Sequence, residues 1–306
     1  MEEKNIYDLI IIGGGPAGVT AGIYASRSNL KVAIIEEIAV GGQVNSTQEV
    51  DNYPGLGKIS SMDLCQKFNE HAEELNVEFV YDEVVACELA GEEKVVKTAY
   101  SGDYFAKTVI IASGARPRRL NLENEENLIG KGICFCAICD GMFFKDKDVV
   151  VMGGGNSAVE EAIYLSSIVK SVTLINFVDT FQANAKLVEK LKSIENITYY
   201  LGYKVDEIVG EKKLEAIKFS KVDNSDSKEI SVEGMFISIG RIPNSELYDV
   251  EKDKQGYIIT DEDLKTNIEG VYAVGDVRQK KIRQIITACS DGAIASINCA
   301  NYINAY

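Results

Sequence analysis

Hydrophobic and polar positions along the chain switch between two periods, and they do so twice in the same order. Residues 8–12 form an apolar, β-branched run that predicts a strand; it ends at Gly13-Gly-Gly-Pro-Ala-Gly18, and helical spacing follows over 17–28. A second apolar run at 31–35 predicts the next strand, and 61–75 has the spacing of an amphipathic helix. Alternation over 79–89, 94–100 and 104–111 predicts further strands, the last running into Ala112-Ser-Gly114-Ala115. The order then restarts with a strand at 149–152, the loop Gly153-Gly-Gly-Asn-Ser-Ala158, a helix to about 167 and a strand at 172–175. The two glycine loops are 140 residues apart. Runs near 197–200, 214–219 and 231–238 extend the second set; 270–276 predicts a strand ending at Gly275-Asp276, and a helical tail follows Arg283-Gln284 toward Tyr302.

Gly13, Gly15 and Gly18 have the G-x-G-x-x-G spacing between a strand and a helix. There the glycines allow a tight turn, close approach of backbone N–H groups to a pyrophosphate, and close packing of helix on strand. Glu36 follows Gly13 by 23 residues, where an acid can hydrogen-bond ribose hydroxyls; the residue at that offset from Gly153 is Asn176. The expected fold is therefore α/β, with two Rossmann-like three-layer domains, the second inserted into the first. Arg116-Pro-Arg-Arg119 and the polar stretch 121–127 suggest the outward crossing, and Gly240-Arg-Ile-Pro243 the return. This gives 1–117 and 245–306 as the first domain and 118–244 as the second.

Composition narrows the partners. The chain has 306 residues, 46% apolar and 26% charged, enough for two ordinary cores, and its net charge of −15 disfavours nucleic acid and anionic membrane as partners. No run approaches the roughly 18 apolar residues of a membrane span, and the N-terminus is acidic and passes straight into a strand, so a cytoplasmic location is expected. The one histidine, His71, lies among Glu70, Glu73 and Glu74 and reads as part of a solvated helix face.

The chemistry concentrates at Cys136-Ala-Ile-Cys139-Asp140. Two cysteines three apart can close a small disulfide that opens and re-forms readily, which suits electron exchange better than stapling a fold. A zinc site would need four ligands, and no second such pair accompanies this one, so no metal is expected. Seven cysteines at irregular spacing do not make a secreted framework; Cys65, Cys87, Cys289 and Cys299 read as packing residues, and Cys134 as a buried thiol close to the pair.

Taken together, the two glycine loops, Gly41-Gly42-Gln43, Asn52-Tyr-Pro-Gly55, the Cys-x-x-Cys-Asp, Gly275-Asp276 and Arg283-Gln284 resemble the low-molecular-weight bacterial thioredoxin reductases over essentially the whole chain. The resemblance implies FAD in the domain made of both chain ends. Gly13, Gly15, Pro16, Ala17 and Gly18 would lie at its pyrophosphate, Glu36 at the ribose and Asp276, after Gly275, at the ribityl chain. Gly42, Gln43, Asn52, Ala112, Gly114, Arg283 and Gln284 would complete the flavin site. It further implies a relay through a Cys136–Cys139 disulfide, with Cys139 nearer the flavin, Cys136 attacking the disulfide of thioredoxin and Asp140 managing the proton. A homodimer, with domains that rotate between flavin and protein substrate, belongs to the same expectation.

One departure bears on the electron donor. NADPH-using relatives present His-Arg-Arg and a further Arg to the 2′-phosphate, where this chain has Asn176-Phe177-Val178 and Gln182. A nicotinamide nucleotide is therefore doubtful as a second cofactor. The expected donor is reduced ferredoxin, as in nicotinamide-independent members of the family, and Arg278, Lys280, Lys281 and Arg283 are a candidate surface for such an acidic carrier. The alternatives are an NAD(P)H-dependent thioredoxin reductase and a flavin-dependent dithiol oxidase.

Overall fold

A computed structural model describes residues 6–47 and 49–305; the acidic start of the chain lies outside the described residues. The chain divides into two compact units, one built from the segments up to Arg116 and from Ile242 onward, the other from Pro117 to Arg241. The crossings fall at 116/117 and 241/242, beside the proline- and glycine-containing segments that suggested them at 117/118 and 244/245.

In the first unit the strands Glu78–Tyr81, Val32–Glu36, Ile6–Ile12 and Asp103–Ile111 pair in parallel in that spatial order. Asp103–Ile111 then pairs antiparallel with Lys94–Thr98 through its first half and parallel with Val271–Ala273 through its second, so the two chain segments share one sheet. Both faces are covered, as a parallel sheet requires, which explains why the central strand is a continuous apolar run. One face packs under helix Pro16–Arg27 and the final helix Ile285–Asn304, whose Ala288, Ala295 and Cys299 join Val19, Ala21 and Ala25 in one core. The other face buries Ile10, Ile12, Val109 and Ile111 against Tyr248, Val250 and Ile258.

The expected strand at 79–89 is two strands, Glu78–Tyr81 and Val84–Glu88. Asp82 causes the break: it is buried, and its carboxylate accepts the backbone N–H groups of Glu83 (2.8 Å), Tyr100 (3.2 Å) and Ser101 (2.6 Å). These bonds tie the turn between the two strands to the carboxylate, while Asp82 N–H itself still donates to the Glu36 carbonyl at 3.0 Å.

The second unit has five parallel strands in the order Ile133–Cys134, Gly234–Ile237, Asp148–Met152, Ser171–Asn176 and Ile197–Leu201. Helix Asn156–Ser166 covers one face through Ala158, Val159, Ala162 and Leu165. An antiparallel trio, Tyr203–Val209, Ala216–Lys221 and Ser227–Ser231, joins the core on the other face through Val205, Ile208, Ile217 and Phe219. The strand Tyr203–Val209 and the helix Ala185–Lys192 carry no expectation from the pattern. The strand is bulged between Val205 and Glu207, which breaks the alternation that would have revealed it. The expected run at 231–238 likewise divides, into Ser227–Ser231 and Gly234–Ile237. Among the described residues, no helix is long and apolar enough to cross a membrane.

Candidate active site

The first glycine loop is shaped by contacts that exclude side chains at two of its three motif positions. Gly13 has φ +109°, and a Cβ there would stand 2.5 Å from the Ala112 carbonyl oxygen; at Gly18 a Cβ would stand 1.9 Å from the Gly13 oxygen. Gly15 is different, since a Cβ there would meet nothing within 4 Å. It is the N-cap of helix Pro16–Arg27 and makes no side-chain cap, so the backbone N–H groups of the first turn have no side-chain acceptor there. Protein packing does not account for a glycine at 15, whereas an anion seated on the helix N-terminus does.

Several of the other expected cofactor residues lie against this loop. Gly14 N–H donates to Glu36 Oε2 at 2.6 Å and Ile38 N–H to Oε1 at 3.2 Å, which orients the carboxylate and leaves it lone pairs for a ribose hydroxyl. Gly41 N–H donates to the Gly14 carbonyl at 2.9 Å, and a Cβ at Gly42 would lie 3.3 Å from the Gly15 Cα. Gln43 follows in the short helix Gly42–Ser46. A Cβ at Gly275 would lie 3.0 Å from the Ala17 Cβ, which brings the Gly275–Val277 turn and Asp276 to the same helix end. Asn52 Nδ2 donates to Gln284 Oε1 at 3.1 Å, and Gln284 caps the last helix with Thr287. A Cβ at Gly114 (φ +69°) would meet nothing within 4 Å, and the Gly114 carbonyl accepts the Asn244 N–H at 3.0 Å. Arg283 stacks 4.3 Å over the Tyr257 ring, and its Nε is buried without a hydrogen-bond partner. That orphaned donor, the empty face of Gly15 and the uncapped helix are the features a flavin dinucleotide would satisfy, so the residues present fit FAD.

Asp291 is a buried acid beside this site that is absent from the expectation. It is 5% exposed and accepts Gly275 N–H (2.9 Å), Arg278 Nε (2.9 Å) and Nη2 (3.1 Å), and Lys280 Nζ (2.7 Å). Although burial opposes it, these donors hold the Asp291 carboxyl below the ordinary carboxylate range. The acid thereby fixes the backbone that presents Asp276. The signal was present in the sequence, since Asp291 is the single charged residue in a twenty-residue helix. The same contacts correct the reading of Arg278 and Lys280 as surface cations. Lys280 is only 9% exposed, and both are committed to Asp291, which leaves Lys281 as the exposed member of the group.

The second glycine loop repeats the first in outline. A Cβ at Gly153 (φ +125°) would meet the Ser238 oxygen at 2.4 Å, one at Gly155 would meet nothing within 4 Å, and helix Asn156–Ser166 lacks a side-chain cap. Gln182 N–H donates to the Gly154 carbonyl at 2.9 Å, as Gly41 does to Gly14. The residue at the ribose position behaves differently. Asn176 is buried, its amide lies against Gly154, and its Nδ2 donates to the carbonyls of Val178 and Thr180, both at 2.9 Å. Its neighbours Phe177 and Val178 stand 63% and 45% exposed.

Within this unit Cys136 and Cys139 form a disulfide with Cα atoms 5.3 Å apart, across the turn Ala137–Asp140. Cys139 N–H donates to Cys136 Sγ at 3.2 Å. Asp140 is buried at the end of the turn and hydrogen-bonds the Cys134 thiol; burial and that acid push the thiol well above its ordinary range. Cys65, Cys87 and Cys299 are pushed up to about 11, 12 and 12 by burial, as expected of packing thiols. Among the seven cysteines, the pair is the one arranged for exchange. His71 lies exposed on helix Ser61–Glu74, as its surroundings suggested.

Residues 7–292 match the model of the family described as pyridine nucleotide-disulphide oxidoreductase. The chain belongs to that family. It is an oxidoreductase acting on a sulfur group, in a family of flavoproteins. It is 40% identical to the thioredoxin reductase of Peptoclostridium acidaminophilum over 99% of this chain and 98% of that one. Among solved structures it matches a thioredoxin reductase from Streptococcus pyogenes with TM-score 0.91 and 42% identity, covering 99% of this chain and 100% of that one. A ferredoxin-flavin thioredoxin reductase from Clostridium acetobutylicum is matched with TM-score 0.55 and 26% identity, over 99% of this chain and 100% of that one.

Proposed function

We propose that this chain is a thioredoxin-disulfide reductase: FAD held in the first unit, once reduced by the donor, would supply the two electrons that open the Cys136–Cys139 disulfide. The opened pair, with two protons taken up, has the composition needed to reduce one disulfide of thioredoxin. Cys136, as a thiolate, attacks the partner sulfur; Cys139 then displaces the mixed disulfide and restores the starting pair. Asp140, buried at the end of the turn, is the acid that gives or takes the proton as the thiols form and are consumed. FAD is assigned to the first unit, at the residues named above, and the protein is assigned as a homodimer.

The donor we propose is reduced ferredoxin rather than NADPH. The carrying observation is the second cradle, where the amide of Asn176 is bonded into its own loop beside exposed Phe177 and Val178. The loop 176–182 itself offers a 2′-phosphate no cation. Each charge-assisted bond it would otherwise make contributes about 1.5–3 kcal/mol, so losing two or three weakens NADPH by several orders of magnitude. A second reading, an NADH- or NADPH-dependent reductase, is favoured by the open face of Gly155 and the uncapped helix behind it.

Anaerobic reduction of the flavin by NADPH, NADH and reduced ferredoxin in parallel, followed by thioredoxin turnover, separates the readings. Ferredoxin should reduce the flavin rapidly and NADPH should not do so at micromolar concentration. Efficient NADPH turnover with ferredoxin inert would return the protein to the pyridine-nucleotide class.

A further inference from the structure

Two arginines close on the residue that leads into the redox pair. Strands Ile133–Cys134 and Gly234–Ile237 run parallel with Cys134 opposite Phe236, so the chain leaves both at the same edge of the sheet, the edge outside which open α/β sheets bind their ligands. Past that edge, Arg241 Nη2 donates to the Phe135 carbonyl at 3.4 Å, and the Arg119 guanidinium stacks 4.7 Å over the Phe135 ring. One cation thus holds the backbone of residue 135 and the other its side chain. Cys136 is next in the chain; it is half-buried and caps the turn Ala137–Asp140. Because that carbonyl belongs to the peptide entering Cys136, Arg241 Nη2 lies within about 9 Å of the Cys136 sulfur whichever way the side chain turns.

A neutral donor would satisfy the Phe135 carbonyl as well, and an apolar side chain would cover its ring, so the charges need another reason. The donors of Arg119 are not spent on packing: one arm stands 3.6 Å from the exposed Glu126, and Nη1 is buried with no hydrogen-bond partner. A buried donor left in that state is costly, and an anion formed beside it offsets the cost. Opening the disulfide creates an anion, because Cys136 attacks as a thiolate. The acids around the turn oppose it. Asp140 ends the turn and engages the Cys134 thiol, while Glu160 and Glu161 lie on helix Asn156–Ser166, which packs against the turn; Glu161 Oε2 is buried without a partner. Tyr164 of that helix lies beside Gly141. Against these acids the two arginines supply positive charge.

We propose that Arg241 and Arg119 are positioning residues for the redox pair: by gripping Phe135 they set two positive charges beside Cys136 and favour its thiolate once the disulfide opens. The step is the loss of one proton from the Cys136 thiol, to Asp140 or to water, and no bond between heavy atoms changes. The inference rests on the reading of Cys136 as the attacking thiol, and its own test needs neither a donor nor thioredoxin.

The test is the rate at which Cys136, in the chemically reduced protein, displaces iodide from iodoacetamide, mapped by mass spectrometry and followed across the pH range of thiol ionisation. The rate follows the thiolate fraction, so the midpoint of the profile reports how well the thiolate is stabilised and the plateau reports access. Removing one unit charge at this distance in a partly solvated site lowers the thiolate fraction below the midpoint by about three- to tenfold. Arg241→Gln and Arg119→Gln should each move the midpoint to higher pH by that factor and leave the plateau in place. Arg241→Lys and Arg119→Lys keep the charge and should restore the midpoint, which a packing role alone would not require. Gln variants whose midpoints superimpose on wild type, or Lys variants that shift as far as the Gln ones, would overturn the proposal. Should one Gln variant not fold, the other, on a separate segment, decides by the same criteria. Separately, chemically reduced wild type should re-form the Cys136–Cys139 bond when mixed with oxidised thioredoxin; failure there alongside shifted midpoints condemns the reading of the pair and leaves the arginine effect standing.

Discussion

The two glycine loops share a backbone plan and differ in the side chain set against it. In each, a glycine with positive φ tucks under the carbonyl after a neighbouring strand, the third glycine leaves open space, and the loop after the second strand donates a hydrogen bond back to the second glycine. In the first loop that second glycine donates its N–H to Glu36, which orients the carboxylate at the loop. In the second it lies under the amide of Asn176, whose donors are spent on its own loop. A glycine pattern thus reports how a helix is set on a strand. Whether a nucleotide is read there depends on one side chain at the end of the next strand and on what its polar atoms are already doing.

The largest test of that difference is to fill the two open faces. Gly15→Val and Gly155→Val place side chains where the fold has room, at φ values of −72° and −81° that valine adopts, so both variants should fold. The first should cost the two charge-assisted backbone bonds of a bound pyrophosphate, about 3–6 kcal/mol, and lower FAD affinity by two to four orders of magnitude. The second should leave bound FAD and ferredoxin-driven turnover unchanged. Flavin absorbance after gel filtration measures the first, and equal flavin loss from both variants would break the comparison.

Next in size is Asp291, which has no counterpart in the second unit's loop. Asp291→Asn removes the one buried charge that half-buried Arg278 and Lys280 share, which costs up to about 3–5 kcal/mol in comparable pairs. Its folded-state carboxyl lies below the unfolded value, so the stability it adds is present above the unfolded value near 3.8 and is lost as pH falls through the lower folded one. Denaturant midpoints should therefore differ most between wild type and Asp291→Asn at neutral pH and converge in acid. A variant of unchanged midpoint at pH 7 would mean the cluster is idle.

The α/β plan, the inserted second set and the order glycine loop, strand, acid were legible because buried parallel strands make unbroken apolar runs and tight strand-to-helix turns demand glycine. Asn176 was legible as a departure, but not its burial, since an amide of either orientation gives the same letter. The cationic cluster was misread for a similar reason. Composition shows Arg278 and Lys280 without an acid nearby in sequence, whereas the acid that binds them arrives from the helix after them, at Asp291. Glu161 was hidden within a pair of glutamates on a helix, where only packing separates the enclosed one from the solvated one.

The smallest expected effect sharpens that last contrast, since Glu160 and Glu161 are adjacent and only one of them is enclosed. Burial lifts the Glu161 carboxyl to about 7 from an ordinary 4.5, so the folded protein holds a proton there that the unfolded chain has released. Between those values stability must fall as pH rises, and the cost is complete above 7. Glu161→Gln removes the titration, so it should be more stable than wild type at pH 8 by about 1–3 kcal/mol and should lose the advantage near pH 4, where both carry a neutral side chain. Glu160→Gln, on the solvent side, should change neither. Denaturant midpoints of the three proteins at pH 4.5, 6 and 8 measure the slope, and parallel curves for wild type and Glu161→Gln would show that the enclosed oxygen finds a partner the fold does not provide.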